Sequence, residues 1–171
     1  CMHKVAGAGV HFRDSWFEDI SEVLPPGDVH TPFRAELHAV GLALSRIGRG
    51  RQVLVFTDCA AVISGFQKYQ SWSEMELARR PHGDKWNHIL FQCRKRILDV
   101  KFVKVPAHCG IRGNEEADEL AKYAVKRHLG YQVRMPEKMR NAAWHAQQVA
   151  AMDMPCEDCG AKSVLKDCVC C

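Results

Sequence analysis

The chain has 171 residues and carries 24 lysines and arginines against 20 aspartates and glutamates, a formal net charge of +4. That length suits one domain of ordinary size, and 47% hydrophobic with 26% charged residues excludes a disordered chain. No apolar run approaches the roughly 18 residues that a membrane span needs, so no membrane partner is expected. Nine cysteines cannot pair completely within one chain. With no recognisable signal peptide, reduced thiols and an intracellular setting, nuclear or cytoplasmic, are the expectation. The sequence opens on Cys1 rather than Met and reads as a fragment or a processed product.

In chain order, Ala6 to Arg13 reads as a strand entered through small residues, and Ser15 to Leu24 as a second, weaker strand. Pro25-Pro26-Gly27-Asp28 is a turn. Thr31 suits an N-cap and Pro32 the first helical position, where its missing N–H costs nothing. Phe33, Leu37, Val40, Leu44 and Ile47 then recur with helical spacing, and Gly48 and Gly50 close that helix. Gln52 to Thr57 is a short apolar, β-branched run of the kind buried in a parallel sheet.

A helix is expected over Ala60 to Tyr69, an irregular polar stretch over Ser71 to Gly83, and a helix over Asp84 to Leu98. Val100 to Val105 reads as a strand, Pro106 to Gly113 as a loop, and Asn114 as the cap of a helix ending before Gly130. Residues 136 to 152 suggest one more helix. Strands first, then helices alternating with strands, predict an α/β domain with a mixed sheet. The expected organisation is a domain over residues 1–130, a helical linker over 131–155 and a cysteine-rich tail over 156–171.

Three carboxylates stand where such a fold can bring them together. Asp58 follows the Gln52–Thr57 strand at its carboxyl end, where open α/β sheets place their sites. Glu36 lies early in the preceding helix, beside its apolar stripe, and Asp118 lies early in the helix after the loop that carries His108. Clustered carboxylates repel, and a hard divalent cation such as Mg²⁺ or Mn²⁺ is the usual remedy. An isolated surface acid is ordinarily just solvated, so the weight rests on the joint pattern.

That pattern resembles the ribonuclease H type 1 family. The residues that carry the likeness are Ala6-Gly-Ala-Gly-Val10, Arg34-Ala-Glu36-Leu37, Thr57-Asp58, and Val105-Pro-Ala-His108 running through Gly113-Asn114-Glu-Glu-Ala-Asp118 to Leu120-Ala121. The most specific part sets a histidine ten residues before an aspartate, with Gly-Asn-Glu-x-Ala-Asp between. The likeness spans about residues 1 to 128, and its flavour is that of domains encoded by retrotransposons beside a reverse transcriptase. It implies an RNase H-like mixed sheet flanked by helices, and cleavage of the RNA strand of an RNA–DNA hybrid with two Mg²⁺ (or Mn²⁺) ions. It further implies Glu36, Asp58 and Asp118 as metal ligands, Glu36 beside the substrate 2′-hydroxyl, and His108 in proton relay or product release.

One departure stands out. The family's remaining carboxylate, in an Asp-Gly-Ser type motif that closes its first strand, aligns just upstream of Cys1, and Asp14 follows the Ala6–Arg13 strand instead of preceding it. The first, central strand is therefore expected to be missing, leaving unpaired sheet edges. The chain reads as a catalytic domain clipped at its amino end. The alternative is a catalytically dead nucleic-acid-binding or interaction module on the same fold. The His108 to Asp118 motif speaks against a transposase or integrase of that fold.

Two further features ask for partners. Arg79, Arg80, Lys85, Arg94, Lys95, Arg96, Lys101 and Lys104 face only Asp84 and Asp99 in their stretch. That excess suits a surface that tracks phosphates. Of these, Arg79, Arg80, Lys85, Arg94, Lys95 and Arg96, with Trp86, are the candidate nucleic-acid contacts. In the tail, Cys156-x-x-Cys159 and Cys168-x-Cys170 offer four thiolates for a Zn²⁺ site of knuckle type.

Overall fold

The structure, a computed structural model, describes residues 5–13, 17–134 and the backbone of 166–170. Along the chain run β1 (Gly7–Phe12), β2 (Ile20–Val23), α1 (Pro32–Arg46), β3 (Gln52–Thr57), α2 (Ala60–Tyr69) and α3 (Glu74–Ala78). They are followed by α4 (Gly83–Arg96), β4 (Asp99–Lys104), α5 (Arg112–His128) and β5 (Lys166–Cys170). The strands form one mixed sheet in the order β2-β1-β5-β3-β4. β1 is antiparallel to β2 and β5, whereas β3 is parallel to β4 and β5.

The α1 boundary follows from its first residues. The Thr31 hydroxyl accepts the Arg34 N–H at 3.2 Å, and Pro32 sits at the first position. Its periodic stripe (Leu37, Val40, Leu44) is fully buried against Val10 and Phe12 of β1 and Val53 and Val55 of β3. Leu54 and Phe56, one residue out of phase, point to the opposite face and pack with Val103, Val105 and Ile111. A strand buried on both faces explains why Gln52 to Thr57 reads as a continuous apolar run.

On the second face α5 lies close against β1, and the glycines of Ala6-Gly-Ala-Gly make that possible. A Cβ on Gly7 would fall 2.2 Å from the Ala121 carbonyl oxygen, and one on Gly9 would fall 1.9 Å from that of Ala117. Ser21 of β2 adds a 2.6 Å hydrogen bond from its hydroxyl to the Leu120 carbonyl. The helix is thus held on the hairpin by backbone proximity, which only glycine at alternate positions permits.

Three readings of the sequence change. The stretch read as irregular contains α3, started by a capping box in which Ser73 and Glu76 satisfy each other's backbone N–H groups, with Leu77 buried beneath it. α5 begins at Arg112 with Ile111 as its cap, so Asn114 is not a cap but a buried residue of the first turn. The sheet edges expected to stand unpaired are bridged by β5, while the strand expected to be missing is not among the described residues. The helix expected over 136–152 lies outside the described residues.

Replacing Gly9 by alanine is expected to lower stability by about 1–3 kcal/mol, because the methyl group meets helix backbone that cannot yield. Urea denaturation of both chains checks this, and an unchanged midpoint would contradict the close packing of α5 on β1.

Candidate active site

Each carboxylate reaches the site because of where its element ends or packs. Asp58 is delivered by the last residue pair of the parallel β3–β4 ladder, Thr57 with Lys104. The chain turns there, the Cys59 N–H bonding the Thr57 hydroxyl at 3.0 Å. Glu36 follows the buried Ala35 on α1, and Asp118 follows the buried Ala117 on α5. All three line one pocket with His108 and Asn114. Its walls are small residues (Gly7, Gly9, Ala35, Ala39, Ala117, Ala121), which leaves the space between the acids open.

The electrostatics single out Glu36. Burial, then the charges of Asp58 and of Asp118, push its carboxyl up from 4.5 to about 7. Its Oε2 is buried with no hydrogen-bond partner among the described residues. A buried carboxylate oxygen without a partner is costly unless it is protonated or meets a cation. The neighbours are tethered: Asn114 Nδ2 approaches Asp58 Oδ2 at 3.4 Å, and Lys122 Nζ lies 2.6 Å from Asp118 Oδ2. His108, exposed on the loop with φ 51°, offers a ring nitrogen that lies, with carboxylate oxygens of Glu115 and Asp118, within a 4.8 Å group. Glu115 and Asn114 were not singled out from the sequence. The Gly-Asn-Glu run that carries them was visible, but only the helix start at Arg112 shows that both face the site side.

These donors suit a hard divalent ion. Carboxylate oxygens dominate, one of them buried and unpartnered, and the pocket is open enough to leave coordination positions for water or substrate. Glu36, Asp58 and Asp118 are the residues that could hold it, with His108 and Glu115 at its edge.

The candidate nucleic-acid contacts divide. Arg79, Arg80 and Lys95 are exposed, and the Arg80 guanidinium lies 4.8 Å from the centre of the half-buried Trp72 ring. Lys85 turns inward, 2.8 Å from Asp28. Arg94 donates to the Trp72 carbonyl at 3.1 Å and Arg96 to the Ile47 carbonyl at 2.8 Å, so both brace the ends of neighbouring elements. Trp86 is corrected outright. Only 2% exposed, it packs against Tyr69 and fills the space that Gly65 leaves, so it belongs to the core rather than to a contact surface. Among the tail cysteines, Cys168 and Cys170 stand in β5, opposite Leu54 and Phe56, while Cys156 and Cys159 lie outside the described residues.

A mixed sheet with carboxylates gathered at the carboxyl end of a parallel strand defines an α/β fold with an acidic pocket. The RNase H family model matches residues 2–126, and the chain belongs to that family. It is 28% identical over 127 residues to ribonuclease H1 of Homo sapiens, a match covering 71% of this chain and 44% of that protein. A ribonuclease H of Syntrophomonas wolfei is 34% identical over 101 residues, covering 54% of this chain and 68% of the relative. The chain thus spans less than half the length of the human relative. Among solved structures, a prototype foamy virus protease-reverse transcriptase aligns with 70% of this chain and 20% of its own, at 20% identity and a TM-score of 0.49.

The raised Glu36 value carries a sign. Unfolded, the carboxyl is ionised above about 4.5, whereas folded it keeps its proton up to about 7. In the absence of divalent ions the folded state therefore loses stability as pH rises through that window, by up to about 3 kcal/mol. Glu36→Gln is expected to melt several degrees higher than the unmodified chain at pH 8 in chelator, and to lose the gain on adding Mg²⁺. Thermal melts with and without Mg²⁺ read both effects, and a Glu36→Gln chain that melts lower in chelator would contradict the crowding of these carboxylates.

Proposed function

We propose that this chain is part of a ribonuclease H, within a larger protein, that hydrolyses the RNA strand of RNA–DNA hybrids, with Glu36, Asp58 and Asp118 among the ligands of two divalent ions. The observation that carries the reading is the convergence of three carboxylates on one open pocket, with a buried Glu36 oxygen left without a partner. Membership of the RNase H family and relatives named as ribonucleases H support the same reaction. The likeness of its motifs to retrotransposon-encoded domains favours a parent polypeptide with a reverse transcriptase domain.

Divalent ions held by Glu36, Asp58 and Asp118 would activate a water for attack and stabilise the leaving 3′ oxygen. The chain's own residues do the rest. Glu36, at the pocket's protected side, stands beside the 2′-hydroxyl, the group that separates RNA from DNA. Asn114 steadies Asp58 through the amide contact between them. His108, exposed on its loop, takes up and releases protons as the product departs. Arg79, Arg80 and Lys95 supply charge for the phosphates, with Trp72 alongside Arg80.

Incubation with a labelled RNA–DNA hybrid and Mg²⁺ tests the reading, with Asp58→Asn as the comparison. Asp58→Asn is expected to slow RNA-strand cleavage by about a hundredfold or more, at or beyond the upper end of the roughly 10–100-fold loss typical of residues that only support a metal ligand. Cleavage indifferent to Asp58→Asn would overturn the assigned site. Tight hybrid binding with no cleavage by the unmodified chain would favour the non-catalytic module instead.

A further inference from the structure

The three carboxylates of the pocket are not partnered alike. Asp58 meets a neutral amide, Asn114 Nδ2 at 3.4 Å, and Glu36 Oε2 has no hydrogen-bond partner among the described residues. Asp118 meets a cation, for Lys122 Nζ lies 2.6 Å from its Oδ2. Lys122 directly follows Ala121, which lines the pocket, but is not itself part of the wall. It reaches Asp118 from the rim, with its side chain 49% exposed.

Helix geometry accounts for the contact. Positions four apart on α5 are neighbours, and an acid followed four residues later by a lysine is the favourable order. The position three residues before the lysine supplies a second acceptor, Glu119 Oε1, 3.2 Å from the same Nζ. Glu119 is 63% exposed and lies outside the pocket wall. The ammonium thus stands between two carboxylates, one at the candidate metal site and one in solvent.

We propose that Lys122 is a displaceable counter-ion of Asp118, which holds that carboxylate in the free protein and yields it to a divalent cation. Its role toward the cation rests on the function proposed above. The ammonium already occupies Asp118 Oδ2. An ion on the other oxygen of the same carboxylate would still face it at close range, where like charges repel. Displacement costs little, because a half-exposed ion pair is worth little in water. Glu119 then keeps the lysine at the rim through the contact it already makes. Lys122 therefore does not close the site. It raises the cation concentration at which Asp118 is engaged.

Mn²⁺ titration of the full chain, followed by the EPR signal of the free ion, tests this. Lys122→Gln removes the competitor and is expected to lower the half-saturating Mn²⁺ concentration about two- to fivefold, the range over which exposed ion pairs act. Lys122→Arg is expected to raise it, because a guanidinium fork grips a carboxylate through two N–H groups. Lys126→Gln removes the same charge one turn further along α5, at an exposed position. A clearly smaller change is expected there. Equal effects of Lys122→Gln and Lys126→Gln would reduce the contact to a general field and overturn the proposal.

NMR of the lysine side chains reads the displacement itself. In chelator, the Lys122 ammonium signal of the unmodified chain is expected to stand apart from its position in Asp118→Asn. Saturating Mg²⁺ is expected to move it toward that position, and a signal unmoved by Mg²⁺ would contradict displacement. The two readings fail in different ways. An unmodified chain that leaves Mn²⁺ free overturns the metal reading and the counter-ion with it. Mn²⁺ binding that Lys122→Gln leaves unchanged overturns the counter-ion alone.

Discussion

Three carboxyl groups converge in a space walled by glycine and alanine, and much else in this molecule follows from that crowding. Asp58 and Asp118 are each contacted by a neighbour, Asn114 and Lys122. Glu36 has no such contact at Oε2 and takes the strain as a carboxyl held near neutrality in its titration. A fold selected only for stability replaces such a residue with an amide or an apolar side chain. Beside two other acids, its electrostatic cost in the free protein would become affinity if a cation were bound.

The crowding depends on how the elements are brought together. α5 approaches β1 closely because Gly7 and Gly9 present no side chain to it, and that approach carries Asn114 and Asp118 over the end of β3. α1 is pressed on the opposite face by its leucine and valine stripe, which fixes the residue next to Ala35, Glu36, at the edge of the pocket. Arg34 anchors the start of that helix by donating to Asp28 at 3.0 Å and to Asp84 of α4 at 2.9 Å. Ion pairing of this kind holds Asp28 low: burial alone raises it, but Arg34 and Lys85 outweigh burial and bring it to about 2.

The parts of this arrangement that local chemistry controls were legible in the sequence. The Thr31–Pro32 start, the periodic stripe of α1 and the apolar run of β3 correspond closely to the observed elements, because caps, spacing and burial act within a few residues. The small residues of Ala6-Gly-Ala-Gly were visible, but their purpose was not, since α5 lies more than a hundred positions away. Lys85, Arg94 and Arg96 read as a phosphate surface, and only tertiary contacts reveal their bonds to Asp28 and to backbone carbonyls. Trp86 misled for the same reason: its basic surroundings in sequence are not its surroundings in space. Least legible was β5, whose partners are set by topology rather than by any signal in Lys166 to Cys170.

If the fold gathers these carboxylates for a divalent cation, the proton on Glu36 and the cation must compete for the same oxygen. Carbon-detected NMR titration of the Glu36 carboxyl, in chelator and again in Mg²⁺, measures that competition directly. The expected result is a midpoint near 7 in chelator and a displacement well below it in Mg²⁺. A midpoint in the ordinary glutamate range in chelator, unmoved by Mg²⁺, would contradict it.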